Sequence, residues 1–212
     1  MGYYLPAKTR KSRFVEMFSS NQWPIVPVST LAKRIKVSFV GSCEKFYTVQ
    51  ENGVPLVRTT NLTANGYDEA GLKFVTREFH LKNVKSQLRR GDVLVARHGE
   101  NGRACEFTGN EANCLNVIII EPDYDKVLSV FLVYALNSSE ARRQVGGRVV
   151  GSTQHVLNTA DLAKIKIANP SLNRQREFAA FVAEVDKSEF AVRKSLESYQ
   201  KLYRQQLQEA FG

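Results

Sequence analysis

A chain of 212 residues that is 43% hydrophobic can bury one real core with an extension beside it, which excludes a disordered tail. Its 30 lysines and arginines outnumber 21 acids, and the formal charge of +9 with a pI near 9.5 fits a polyanion partner or a solvated basic surface. No apolar run reaches the roughly 20 residues that span a bilayer, and the opening MGYYLPAKTRKSRF lacks a signal-peptide apolar core, so a cytoplasmic protein without a membrane segment is expected.

Taken in chain order, residues 8–18 (KTRKSRFVEMF) read as a short basic helix that SSNQWPIVP ends with Pro24 and Pro27, which sets a first segment at 1–20. Residues 21–172 alternate short elements. GVPLVRTTNL (53–62) reads as a strand running into a turn, GDVLVARHG (91–99) as a strand between glycines, and NVIIIEP (116–122) as a buried strand ended by Pro122. Apolar residues in 127–145 fall on a helical period, with Gly146-Gly147 as the stop signal. Asn158 with Asp161 resembles a capping box for one helical turn before the alternating strand AKIKIANP (163–170). The expected fold class is α+β: one globular domain with a twisted mixed β-sheet and short helices, then a long C-terminal coiled-coil helix over 173–212.

That last segment has no Gly or Pro from Asn173 to Phe211. Phe178, Val185, Val192 and Tyr199 recur every seven positions, and Val182, Leu196, Tyr203 and Ala210 form a companion row interrupted by Glu189. A helix of about 38 residues would be roughly 57 Å long, more than the middle region could cover. Coiled-coil pairing is one reading, and an amphipathic helix lying on its own domain is the other. The segment SRFVEMF weakly echoes RQQLQEAF near the C-terminus.

Catalytic sets are missing. EPDYDK (121–126) offers carboxylates without the spacing that converges them on Mg²⁺, and NPSL (169–172) lacks the second proline and the aromatic that hold a flipped base for methyl transfer. His80, His98 and His155 have no zinc spacing, and Cys43, Cys105 and Cys114 form no C-x-x-C, which suits buried free thiols in a reducing compartment. GENGRA (99–104) has the wrong glycine spacing for a phosphate loop, and the Asn61-Leu62-Thr63 sequon carries no meaning in a cytoplasmic protein. No cofactor, no metal and no enzymatic activity are expected.

Three stretches in order carry a resemblance: GVPLVRTTNL (53–62), LRRGDVLVARHGENGRACEF (88–107) and GSTQHVLNTADLAKIKIANPSLNRQREFAAFVAEVDK (151–187). Together with SRFVEMF followed by Trp23, they resemble the target recognition domain and following helix of specificity subunits in type I restriction-modification systems. The resemblance implies a non-catalytic subunit that reads half of a split site in double-stranded DNA and docks methyltransferase and, through them, restriction subunits. Most members have two recognition domains and this chain has room for one. It implies either a half-subunit that self-associates through the 173–211 helix or a piece of a longer chain. The competing function is a coiled-coil protein-interaction module whose basic charge is incidental.

Reading bases needs cations for phosphate and polar side chains for base edges. The expected DNA-binding residues are Arg58, Thr59, Thr60 and Asn61 at one strand exit, and Arg97, His98 and Arg103 around a second. The glycine-hinged loop GRVVGSTQHVLN (146–157) adds Arg148, Ser152, Thr153, Gln154 and His155, where Gln suits adenine and Arg suits guanine or phosphate. Against this stand framework roles: Gln154, Thr153 and Asp92 shaping the domain, Arg58 and Arg97 paired to Asp92 or Glu100, and Arg142 and Arg143 complementing the end of a helix. Lys73, Arg77, Lys82 and Lys85 are either phosphate contacts or solvated. The expected dimer interface is Phe178, Val182, Val185, Val192, Leu196, Tyr199 and Tyr203.

Overall fold

A strand in a sheet covered on both faces must be apolar without alternation, and VIIIEP meets that demand. In the computed structural model, which describes residues 7–19, 22–63, 66–99, 102–149 and 156–211, Val117 through Ile120 are all fully buried. The strand Val117–Pro122 lies between Val93–Ala96 and Ala32–Val37, antiparallel to both, and Ala104–Glu106 completes a four-stranded sheet beside Val93–Ala96. A second, five-stranded sheet runs Tyr47–Thr48, Lys73–Thr76, Gly53–Arg58, Ala112–Leu115, Gln87–Leu88, and only Gly53–Arg58 with Ala112–Leu115 is a parallel pair. Two further ribbons pair Ile25–Pro27 with Lys166–Ala168 and Leu62–Thr63 with Gly66–Tyr67. The α+β class holds, with two main sheets where one was expected.

The two sheets share a core. Val57, Ala112 and Cys114 from the second pack with Leu94, Cys105 and Ile119 from the first. On the far side of the five-stranded sheet Phe79 sits between Phe39 and Phe46, ring centroids 5.2 and 5.1 Å apart. The chain passes from one sheet to the other through a single residue, Asn116, whose φ of 57° is the one left-handed non-glycine conformation among the described residues. Asn tolerates that region because its short amide can bond locally.

Among the described residues the α-helices are, in order, α1 (Ala7–Phe18), α2 (Arg77–Lys82), α3 (Ser129–Leu136), α4 (Ser139–Val149), α5 (Thr159–Ala163) and α6 (Leu172–Phe211). The α5 cap forms as expected, Asn158 Oδ1 accepting from Asp161 N at 2.8 Å. The single helix expected over 127–145 is instead broken. Asn137 gives both amide atoms to Ala104, accepting from its N–H at 3.0 Å and donating to its carbonyl at 2.8 Å, and Ser138 Oγ then accepts from Ala141 N at 3.2 Å to start α4. Nor do Gly146 and Gly147 stop the helix, which continues through them to Val149. Upstream, Gln144 pairs through both amide atoms with the backbone of Lys166 at 2.8 Å each, and this tertiary anchor outweighs the low helix propensity of glycine.

Contacts divide the chain into two units, residues 21–175 and the segments 1–20 with 176–212. In the second unit α1 and α6 form an antiparallel pair. Arg10 Nη2 reaches Asp186 at 2.7 Å and Glu189 at 2.5 Å, the Arg13 guanidinium lies 5.9 Å from the Phe181 ring, and Phe14 and Phe18 meet Phe178 edge-on at 5.4 and 5.7 Å. The interruption of the apolar row at Glu189 thus supplies a partner for Arg10. Three of the seven residues expected at a dimer interface are already covered within this chain. Phe178, Val182 and Val185 are 0, 7 and 1% exposed within this single chain, whereas Val192, Leu196, Tyr199 and Tyr203 are exposed.

Candidate nucleic-acid interface

Strand register decides which polar loops meet. Arg58 closes its strand opposite Leu115, and Ala96 closes its own opposite Val117. Asn116 lies between Leu115 and Val117, so the exits RTTN and ARHG, 39 residues apart in sequence (58 to 97), emerge at the same end of the two sheets. Thr59 Oγ1 donates to Asn116 O at 3.3 Å and ties the first exit to the crossover.

At the first exit Thr60 is exposed, and Arg58 and Thr59 are half-buried. Arg58 Nη2 donates to Gly71 O at 3.1 Å. Asn61 does not face solvent as expected: it is 2% exposed, accepts from Arg58 N at 3.0 Å and donates to the carbonyls of Asp68 and Ala70 at 3.1 and 3.3 Å. Its amide shapes the loop, so its donors and acceptor are spent inside the protein.

At the second exit His98 is exposed on the turn before Gly99, which has a φ of 69°. Arg97 is half-buried and donates from Nε to Leu157 O at 3.3 Å, while Leu157 N donates to Arg97 O at 3.0 Å. Both ends of the turn are fixed, since Gly102 N donates to Ala96 O at 2.9 Å and Ala96 N to Arg103 O at 2.8 Å. Neither Arg58 nor Arg97 has an ion-pair partner among the described residues, and Arg58 Nε and Arg97 Nη1 are buried there with no acceptor. Buried donors in that condition cost about 1–3 kcal/mol each.

Of the loop 146–157, Ser152, Thr153, Gln154 and His155 lie outside the described residues, as does Glu100, and Arg148 is described only as part of the α4 backbone. The described flanks show where the loop starts and returns: it leaves α4 and rejoins the second strand exit at Leu157.

Other expectations sort by partner. Asp92 is framework: it is 6% exposed, its Oδ2 accepts from Arg89 N at 2.8 Å, and burial raises its carboxyl above the ordinary range. The adjacent Gly91, at φ 91°, has no room for a Cβ beneath the Tyr124 hydroxyl. Arg77 and Lys82 stand on α2 and pair with Glu111 and Glu78 at 2.7 and 2.6 Å; Lys73 and Lys85 are exposed. Arg142 and Arg143 do not end a helix. They sit near the start of α4, where Arg143 pairs with Glu140 at 2.9 Å, so a complement to the helix C-terminus is ruled out. Two residues that sequence reading passed over prove central to the geometry, Asn116 at the crossover and Asn137 at the helix break. An Asn flanked by two apolar strand runs is the signal that could have found the first.

Residues 24–198 match the family model described as the type I restriction modification DNA specificity domain. The type I restriction enzyme EcoBI specificity subunit of Escherichia coli is 25% identical over 141 residues, 64% of this chain and 29% of that protein. Two solved structures share the fold: the HsdS subunit from Thermoanaerobacter tengcongensis, with a TM-score of 0.58 at 15% identity over 88% of this chain and 44% of that one, and the type I restriction-modification system S subunit from M. genitalium, with 0.62 at 16% over 90% and 50%. The chain spans half or less of the length of each of these relatives.

Proposed function

The chain belongs to the type I restriction modification DNA specificity domain family, and on that premise we propose that it is a non-catalytic unit that reads one half of a split site in duplex DNA. The convergence of two cationic, polar strand exits on one end of the globular unit, with the 146–157 loop rejoining it, is the observation that carries this reading. Arg58, Thr59, Thr60, Arg97, His98 and Arg103 offer donors to base edges and phosphates there, and Arg148, Ser152, Thr153, Gln154 and His155 extend the face through the loop. Asn61 supports the face from beneath.

In this reading the unit docks methyltransferase subunits and, through them, restriction subunits, in keeping with a relative that is itself a subunit of a restriction enzyme. No helix among the described residues is long and apolar enough to cross a membrane, which accords with a chain acting on DNA in the cytoplasm. A second recognition unit comes from another copy, and the pairing surface is the outer part of α6, where Val192, Leu196, Tyr199 and Tyr203 keep a heptad spacing in the open.

The test is fluorescence anisotropy of the purified chain on duplexes selected from a random pool and on random duplexes, across about 50–200 mM salt. Preferential binding to the selected set with a steep salt slope is expected. Equal, weak binding to both sets, in the presence of the methyltransferase partner, returns the chain to a protein-interaction module. Sequencing methylated bases in cells carrying the system reads the symmetry of the site.

A further inference from the structure

Among the described residues Asn116 alone adopts a left-handed conformation without being glycine, with φ at 57°. In the sheet register it stands between the two strand exits, since Leu115 before it pairs with Arg58 and Val117 after it pairs with Ala96. Its backbone is fixed from both sides. Asn116 N donates to Phe39 O at 2.9 Å, and Thr59 Oγ1 donates to Asn116 O at 3.3 Å. The next residue is held as well, Val117 N donating to Ser38 Oγ at 3.0 Å and Ser38 N to Val117 O at 2.9 Å.

With the backbone N–H and C=O engaged, the side-chain amide is what Asn116 has left to offer. It makes no hydrogen bond among the described residues, and although the residue is half-buried, neither polar atom of the amide is sealed from solvent. Asn61, beside the same exit, is the opposite case, buried and bonded at both amide atoms. Backbone outliers of this kind concentrate at functional sites. Asparagine tolerates the left-handed region, but glycine holds it at no steric cost, so the conformation by itself does not require an amide. An amide on so rigid a backbone loses little freedom on binding, and its acceptor and donor match N6 and N7 of adenine in the major groove.

Resting on the DNA-recognition reading above, we propose that Asn116 is itself a base-reading residue, its amide taking the N6 and N7 edge of one adenine between the contacts made from the two strand exits. Thr59 then serves twice, as part of the polar face and as a positioning residue that holds the Asn116 carbonyl. The crossover between the sheets becomes the centre of the reading face, flanked by Arg58 on one side and Arg97 on the other.

Two measurements on the full chain test it. The first is anisotropy of wild type and Asn116→Gly on the selected duplex and on random duplexes, because glycine keeps the left-handed backbone without strain and removes the amide alone. The variant should lose about tenfold on the selected duplex and bind random duplexes as wild type does. Unchanged affinity for the selected duplex overturns the proposal, and so does an equal loss on both, which marks a phosphate or purely structural role. The second replaces each adenine of the selected duplex in turn by 7-deazaadenine, which lacks the N7 acceptor. Wild type should lose affinity at one adenine where the glycine variant is indifferent. If every adenine that matters to wild type matters equally to the variant, or if none matters to wild type, Asn116 reads no adenine while the DNA-recognition reading stands. A wild-type chain with no preference for the selected duplex overturns that reading, and this proposal falls with it.

Discussion

Arg97 and Leu157 are bonded twice, Leu157 N to the Arg97 carbonyl at 3.0 Å and Arg97 Nε to the Leu157 carbonyl at 3.3 Å. One arginine thus ties the returning end of the 146–157 loop to a strand exit and leaves the rest of its guanidinium without an ion-pair partner among the described residues. In the proposed reading, Arg97 would couple loop anchoring to base contact. Arg97→Ala should lose roughly 1–3 kcal/mol on the selected duplex and little on random DNA. Urea denaturation should register a smaller loss, about 0.5–1.5 kcal/mol, for the missing bond to Leu157. Equal losses on both duplexes would move Arg97 to the phosphate class.

Asn61 and Thr60 should separate framework from face. Asn61→Ala removes an acceptor and two donations inside the loop, so a stability loss of about 1–3 kcal/mol is expected in urea. Thr60→Ala, at an exposed position, should leave the denaturation midpoint unchanged and alter only DNA binding. A Thr60 variant that destabilises as much as the Asn61 variant contradicts the division.

The two stretches of α6 should respond differently to substitution. Phe178→Ala opens a cavity between α1 and α6, with a cost of about 3–5 kcal/mol, seen as lost hydrogen-exchange protection along residues 10–18. Val185→Asp should have the same outcome, since it buries a charge where Val185 is 1% exposed. Leu196→Asp with Tyr199→Asp should keep that protection and abolish self-association in sedimentation equilibrium. Retained association in the double variant rules out the outer row as the pairing surface.

Asp92 gives a pH dependence with a definite sign. Burial holds its carboxyl above the ordinary aspartate range, so the folded chain keeps this proton to higher pH than the unfolded chain does. Its contribution to stability is full below the unfolded pKa and is lost as pH rises through the folded one. Asp92→Asn keeps an acceptor for Arg89 N and removes the buried charge. The variant should be at least as stable as wild type at pH 7 and show a flatter pH profile through the acid range in urea titrations. A clear loss at pH 7 would show that the carboxylate charge is needed.

Local pattern made several elements legible: the unbroken apolar run at Val117–Ile120, the Asn158 cap, and the long Gly- and Pro-free helix α6. The failures arise where distant residues decide. Periodicity over 127–145 could not reveal that Asn137 would be claimed by Ala104, or that Gln144 would hold α4 past its glycines. A heptad row names an apolar face without naming what covers it, and α1 took Phe178. RTTN and ARHG were each recognisable as polar exits, but their meeting depends on the pairings Arg58–Leu115 and Ala96–Val117, which no local window contains. Asn61 looked like a reader because its type suits a base edge, and only burial shows that its amide is already used.

Photo-crosslinking tests the central claim most directly. A photoreactive residue placed at Thr60 or at His98, both exposed at the converging strand exits, should crosslink to bases of the selected duplex, and the same residue at exposed Leu81 on α2 should not. Crosslinks from Leu81 with none from Thr60 or His98 would place the duplex on another face and contradict the account.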